Sequence, residues 1–349
     1  MKKTTLLIAL GLAVSAPAVR ADEGRTMLIG PATITQPGQY VLAADIDATG
    51  NPVILIQSDR VTLDLNGHTI RNASHEGRTV QIQENARSIR IRNGRIIGGF
   101  VGIFHGVSNP ASETSLSLEN LEISEVYSAA VAIQNARSID VLGCRFRNTG
   151  LAGFFAGGGI SLSSPTGGLP GATGRVENND MRDLNGPGLS VTGPFDSLLV
   201  RGNTIVRALD WSIIIDGGGV RLEGNTISGP VGWGIQVNGA GVDLIDNVFS
   251  EKCLLASISS GGATAGIGNR IVGNIFQAQP GCTGVDLMQV GCSRNVIENN
   301  LIRGSGTCGI VFWSSASFNS YRGNMLRGNA GGAVCDSGTG NTDNGGNIY

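Results

Sequence analysis

Arg201-Gly202-Asn203-Thr204-Ile205 is followed by Glu223-Gly224-Asn225-Thr226-Ile227 and Ile245-Asp246-Asn247-Val248-Phe249; the same register returns at Asn274, Asn300 and Asn324, and Asn179 precedes them all. The spacings from Asn179 to Asn324 are 24, 22, 22, 27, 26 and 24 residues. The second residue after each Asn is always large and apolar: Met181, Ile205, Ile227, Phe249, Phe276, Ile302 and Leu326. A period of this size belongs to stacked units, each burying its apolar face against the next.

Every unit carries short segments of alternating apolar residues. Leu198-x-Val200, Val220-x-Leu222 and Val242-x-Leu244 precede the Asn, and Ile213-x-Ile215, Ile235-x-Val237, Val285-x-Leu287 and Ile310-x-Phe312 follow it. Period-two alternation describes strands with one buried face, so a unit supplies three short strands and no helix. A leucine-rich repeat shares the period but needs a leucine-spaced convex segment, and propeller blades are longer. The expected fold is all-β, a right-handed single-stranded parallel β-helix whose coils stack about 4.8 Å apart. The inward Asn row then forms a ladder of side-chain amides, each bonding the next coil.

Looser copies of the phrase occur earlier, at Val61-x-Leu63-x-Leu65-Asn66-Gly67-His68, Ile89-x-Ile91-x-Asn93-Gly94, Leu116-x-Leu118-x-Asn120 and Ile139-x-Val141-x-Gly143-Cys144. They bring the expected total to about eleven or twelve coils, a rod about 55 Å long at the strand spacing. Residues 51–337 form the helix domain in this reading. Residues 22–50 cap its first coil, and residues 338–349 are a loose Gly/Asn-rich tail.

Residues 1–21 read as an export signal: Lys2 and Lys3, an apolar run from Leu6 to Val14, and the small-residue site Val19-Arg20-Ala21. No later segment is long and apolar enough to span a membrane, so a soluble, monomeric, periplasmic or secreted protein is expected. The full chain has 25 Lys and Arg against 27 Asp and Glu. Loss of the leader removes only basic residues, so bulk charge gives no reason to expect nucleic acid as a partner. The six cysteines all lie in the exported part, where bridges form readily. Cys282 and Cys308 each fall eight residues after their Asn, so they are the expected disulfide. Cys144 occupies the Asn register and reads as a buried thiol; Cys253, Cys292 and Cys335 stay unassigned.

The phrases Ile34-Thr35-Gln36-Pro37-Gly38-Gln39-Tyr40 and Val61-Thr62-Leu63-Asp64-Leu65-Asn66-Gly67 resemble those of exported bacterial right-handed β-helix repeat proteins of the pectate-lyase-like superfamily. The resemblance extends over essentially the whole mature chain and implies the same fold. That superfamily includes polysaccharide lyases, hydrolases, epimerases and a periplasmic copper-loading factor, so chemistry has to be argued from side chains.

Outward positions of the second strand run from Ser161, Ser163, Ser190 and Thr192 into Asp216, Gln236, Asn238 and Asp286, and then to Trp313. Carboxylates and amides bond sugar hydroxyls, and an aromatic face stacks on a sugar ring. Asp216 and Asp286 are therefore the candidate catalytic carboxylates, and Gln236, Asn238 and Trp313 the candidate polysaccharide contacts. The competing reading is an ordinary solvated sheet face. Trp211 and Trp233, each eight residues after an Asn, should stack on each other as a sugar platform or, as their parity with Ile213 and Ile235 favours, pack into a corner. The insertion between Gly150 and Gly174 is a candidate binding rim.

Enzyme motifs are sparse. The polygalacturonases that the chain resembles use Asp-Asp, Gly-His-Gly and Arg-Ile-Lys phrases that do not occur here, and Asn341-Thr342-Asp343 falls in the tail. A lyase would need a base and commonly Ca²⁺; otherwise no cofactor is expected. His68, His75 and His105 lie in separate coils without ligand spacing. Arg87, Arg90, Arg92 and Arg95 make a local basic edge, read as a solvated strand face. A protein that binds or processes a polysaccharide is the leading reading. The alternatives are a non-catalytic structural protein and an accessory factor for a metalloenzyme.

Overall fold

The computed structural model describes residues 19–22, 24–84, 86–106, 113–151, 158–164, 171–209, 211–230, 232–251, 256–258, 268–278, 288–290 and 292–349. Among them there is no helix, and the strands form one 25-stranded and one 13-stranded sheet. A representative coil contains Val220–Glu223, Thr226–Ser228 and Trp233–Val237. The first two strands belong to the larger sheet and the third to the smaller. Every pairing along the solenoid is parallel; the antiparallel exception among the described residues joins Val19–Asp22 to Arg25–Leu28. The chain is thus a right-handed parallel β-helix.

The alternation explains the core. Leu222 sits between Val200 and Leu244, Ile227 between Ile205 and Phe249, and Ile235 pairs with Ile213. All eight of these residues are buried. Each such side chain contributes about 1.5–3 kcal/mol by leaving water. Three inward columns, repeated coil after coil, make a continuous core without a centre.

The bend between the first two strands has its own sequence grammar. Asn178, Gly202, Gly224, Asp246, Gly273, Asn299 and Gly323 have φ between 54 and 71°, a left-handed conformation that only Gly, Asn and Asp adopt readily. The next residue is the ladder Asn in every case. Asn203 Nδ2 donates to Asn225 Oδ1 at 2.9 Å, and Asn225 Nδ2 to Asn247 Oδ1 at 2.8 Å. The row runs from Asn179 to Asn347 with the same pattern.

A second ladder, at the bend that precedes the first strand of each coil, joins Asn269, Asn295, Asn319 and Asn341. It follows the same rule, because Gly268, Arg294, Phe318 and Gly340 before these residues also have positive φ. Asn341 and Asn347 therefore finish two ladders, and Thr342–Asp343 pairs with Ser320–Arg322. Residues 338–349 add a last partial coil, and Asn341-Thr342-Asp343 acts in packing. At the other end, Ala32–Ile34, Gly38–Leu42 and Ile46–Ala48 already pair in register with the next coil.

The disulfide differs from the expectation. Cys308 bonds Cys335, with Cα atoms 5.8 Å apart, and Cys282 lies outside the described residues. Counting from the Asn misleads here because the coil that starts at Asn274 reaches its outer strand later: Met288 pairs with Ile310. Met288 is fourteen residues past its Asn, whereas Ile310 is ten past Asn300. Equal offsets from Asn274 and Asn300 therefore do not mark equivalent positions in the two coils.

The basic edge near the N-terminal end is largely neutralised. Arg87 pairs with Glu113 at 2.9 Å, Arg90 with Glu119 at 3.0 Å and Arg92 with Asp64 at 3.0 Å. Such exposed pairs stabilise the fold little; their consequence is to remove a field that would attract an anion.

Candidate functional site

Asp216 ends the strand Trp211–Asp216, and Asn238 occupies the equivalent place one coil on. Asn238 Nδ2 donates to Asp216 Oδ1 at 2.7 Å, and Asp216 is exposed. Gln236 is half-buried and pairs with Ile214 below it and Ser257 beyond it. The structure thus brings together Asp216, Gln236 and Asn238 on the outer face of the 13-stranded sheet, as the alternation implied. Trp313 follows the strand Cys308–Phe312 and is exposed. The pairings Val237 with Ile258, Ile258 with Val290 and Val290 with Phe312 put it in the same column as Asn238. Three coils separate the two, about 14 Å at the strand spacing.

Asp286 lies outside the described residues. The strand that joins the sheet in its coil is Met288–Val290, and Gln289 takes the position between Ser257 and Val311. The same late strand that misplaced the disulfide thus assigns that column position to Gln289. Much of the expected rim between Gly150 and Gly174 also lies outside the described residues; within it, Ile160–Ser163 is a regular strand of the sheet.

The tryptophans correct a second expectation. Trp211 and Trp233 do not pack inward: their rings stack outside the coil, with centroids 4.9 Å apart and planes 28° apart, and Trp233 is 40% exposed. Parity failed because Ser212 and Ile213 are both buried, which breaks the alternation one residue after Trp211. The indole pair and the Asp216–Asn238 pair therefore stand at opposite ends of the same two strands, about 16 Å apart along the chain direction. Gly217, next to Asp216, holds this end close: a Cβ there would overlap the carbonyl oxygen of Gly193 in the coil below.

The soft and nitrogen donors are dispersed. His68 Nδ1 lies 3.2 Å from Asp45 Oδ1, His75 faces the ring of Tyr127, and His105 replaces an aliphatic residue in the inward column between Ile82 and Ile133. Cys144 is buried, and burial pushes its thiol up to about 11, so it stays protonated and unreactive. Among the described residues no three His, Cys, Asp or Glu side chains converge on a point that could hold a metal ion.

His105 is fully buried, its Nδ1 is 3.3 Å from the Ile82 carbonyl oxygen, and its Nε2 has no partner. Burial lowers its pKa in the fold, while the unfolded chain titrates near the usual value of about 6.5. As the pH falls below that value the unfolded state takes up a proton that the folded state resists, so stability declines until the pH passes the folded pKa. His105→Leu should remove this part of the acid sensitivity and add about 1 kcal/mol at neutral pH by removing an unpartnered buried nitrogen. Melting temperatures of both proteins at pH 7.5 and 5.5 test this; an equal drop in the two would exclude His105 as the source.

The fold is shared with characterised structures at low sequence identity. A single-site variant of the periplasmic alginate epimerase AlgG is similar at 13% identity, with a TM-score of 0.55, over 93% of this chain and 85% of that one. The catalytic domain of a GH87 α-1,3-glucanase variant in complex with nigerose matches at 11% identity and TM-score 0.52, over 100% and 71% of the two chains. A DFA-IIIase from Arthrobacter chlorophenolicus A6 matches at 12% identity and TM-score 0.51, over 88% and 89%. At these identities the likeness is one of fold. No curated protein matches the sequence. Residues 66–281, more than half of the chain and including the coils of Asp216 and Asn238, match the family described as periplasmic copper-binding protein (NosD), and the chain belongs to that family.

Proposed function

We propose that this exported protein acts in the periplasm by binding a polysaccharide across the outer face of the 13-stranded sheet. The observation that carries the reading is the stacked Trp211–Trp233 pair, half-buried at Trp211 and exposed at Trp233, on the same two strands as the hydrogen-bonded Asp216–Asn238 pair. Indole faces cover the apolar face of a sugar ring, while the carboxylate and amide bond its hydroxyls. Gln236 lies between the two ends, and Trp313 offers a further aromatic contact three coils away. The protein works as a monomer in this reading, since the face is complete within one chain.

Binding is better supported than cleavage. Glycoside hydrolysis by the usual route needs two carboxyl groups, and Asp216 is the one carboxylate that the strands Trp211–Asp216 and Trp233–Val237 carry. Cleavage would need Asp286 as the second, and β-elimination would need Ca²⁺ as well. Similar folds include an alginate epimerase and an α-1,3-glucanase, which accords with a carbohydrate ligand. The copper of the family description finds no fitting donor set among the described residues, because His68, His75, His105 and Cys144 are dispersed or buried. No step is therefore derived through copper.

The test is affinity electrophoresis of the mature protein in gels containing neutral or uronic polysaccharides, with and without Ca²⁺, alongside an assay for new reducing or unsaturated ends. Retention should fall about tenfold or more in the Trp211→Ala/Trp233→Ala variant, given about 0.5–1.5 kcal/mol for each aromatic contact. Product that disappears in Asp216→Ala would make the protein an enzyme on this face. Family membership favours a second reading, a non-catalytic accessory protein of the periplasm, and an absence of retention across the whole panel would make that reading the better one.

A further inference from the structure

A cleft of about 440 Å³ opens on the larger sheet, away from the tryptophan face, where the bends of four early coils stack. It coincides with the part of the solenoid that has no Asn ladder: the register that Asn179 and its successors occupy later is held here by Gly94, Leu121 and Cys144. Gly94 and Gly143 leave the floor bare of side chains, and Arg95, Glu122 and Arg145 form a wall. Arg95 pairs directly with Glu122, and Glu122 with Arg145, in the strand register.

Those three charges behave unlike their neighbours. On the same sheet Arg92 bonds Asp64, Arg175 bonds Asp140, Arg147 bonds Asp180 and Arg201 bonds Glu177, each pair reaching between coils. Arg95 and Arg145 make no ion pair or side-chain hydrogen bond among the described residues, and neither does the carboxylate of Glu122 between them. Their Cα positions are two coils apart, about 9.6 Å. Asn120, also on the cleft and exposed, adds an amide that bonds no other described side chain. Arg95 also senses the charge of Asp45, whose carboxylate is itself engaged by the Thr69 N–H and by His68.

We infer that this cleft binds a sugar that carries a carboxylate, a uronic acid unit, with Arg95 and Arg145 on its carboxylate and Glu122 and Asn120 on its hydroxyls. A guanidinium presents a planar fork of donors that matches a carboxylate in two parallel hydrogen bonds. A carboxylate side chain accepts only, which suits the hydroxyl donors of the same sugar, and an amide serves hydroxyls in either role. A neutral sugar would leave two guanidinium groups without an anion. A bare inorganic anion would meet Glu122 without compensation. The volume lies within the range of pockets that hold small molecules, and it accommodates a disaccharide. The site does not depend on the tryptophan face, which lies on the other sheet.

Digalacturonate and the neutral disaccharide galactobiose, each titrated calorimetrically into the mature protein at low salt and at 0.5 M NaCl, test the assignment. Digalacturonate should bind, and binding should weaken in high salt and fall by about tenfold or more in Arg95→Gln/Arg145→Gln, since two charge-assisted contacts are lost. Glu122→Gln should weaken it less. The loss caused by Arg95→Gln/Arg145→Gln should be the same fold whether or not Trp211 and Trp233 are also replaced by Ala, which separates this site from the proposed polysaccharide face. Melting curves confirm that the variants are folded, and Arg95→Lys/Arg145→Lys, which keeps the charge but not the fork, should recover only part of the affinity. No digalacturonate binding at low salt, equal binding of galactobiose, or undiminished binding by the double Gln variant would each overturn the assignment; the last would show that the Arg and Glu side chains only pair with one another in solution.

Discussion

Asn225→Ala should destabilise the protein by about 3–5 kcal/mol, because it removes one side chain that satisfies four buried polar groups. Asn225 Oδ1 accepts from the backbone N–H and from Nδ2 of Asn203, both at 2.9 Å, while Asn225 Nδ2 donates to the Val200 carbonyl oxygen at 2.9 Å and to Asn247 Oδ1 at 2.8 Å. Alanine supplies neither donor nor acceptor, and Asn225 is 1% exposed, so water cannot replace the lost bonds without opening two coils. Asn347→Ala is the informative control. Asn347 also receives Asn324 N–H and Nδ2, but it is only half-buried, on the last coil with no coil beyond it, where water reaches the bonds; about 1 kcal/mol or less is expected. Denaturant midpoints of the two variants check this. Equal effects would show that the ladder contributes no more inside than at the end, and that coil stacking rests on the apolar columns alone.

Phe249→Ala is expected to cost a similar amount, about 3–5 kcal/mol, by a different mechanism. Phe249 and Phe276 are fully buried, stack with centroids 5.0 Å apart and planes 6° apart, and fill one inward column in adjacent coils. Truncation leaves a cavity between Ile227 and Phe276, and the backbone cannot close it because the strands are held at the hydrogen-bonding distance on either side. Phe249→Ile should cost less, about 1–2 kcal/mol, since Ile227 and Ile302 occupy the same column in nearby coils. Guanidinium titration of the three proteins gives the comparison. A Phe249→Ala variant as stable as Phe249→Ile would mean that the column collapses freely, contrary to a rigid stack.

These two losses also show why the repeat was legible. A ladder Asn has no tolerated substitute where its neighbours depend on it, and the residue two positions later always faces the core, so the phrase recurs in plain view. The second ladder was equally available. Gly268-Asn269, Arg294-Asn295, Phe318-Asn319 and Gly340-Asn341 repeat at 26, 24 and 22 residues, but two of the four lack the Gly, Asn or Asp that marks a left-handed residue. Arg294 and Phe318 accept that conformation because the bonds of the following Asn hold them in it.

The candidate sites were legible only in part. Asp216, Gln236 and Asn238 came together because alternation is strict from Ile213 to Asp216 and from Ile235 to Asn238. Trp211 and Trp233 turned outward because two consecutive residues, Ser212 and Ile213, are buried. Cys308 found Cys335, and Gln289 took the column position expected for Asp286, because one coil carries extra residues before its outer strand. Period and parity propagate along a strand, but an insertion or a bulge resets both without leaving a mark in composition.

What the sequence by itself determined is therefore the solenoid: a left-handed Gly, Asn or Asp, then an amide that must be satisfied, then a strand that must be buried, repeated until no other fold accommodates the pattern. What only the tertiary structure decided is which side chains meet across coils. The stacked indole pair, the bridge between Cys308 and Cys335, and the two arginines that flank Glu122 all depend on how far each coil is shifted against the next. That shift is set by loop length and hydrogen-bond register between coils, which are properties of stacked neighbours and not of any one segment.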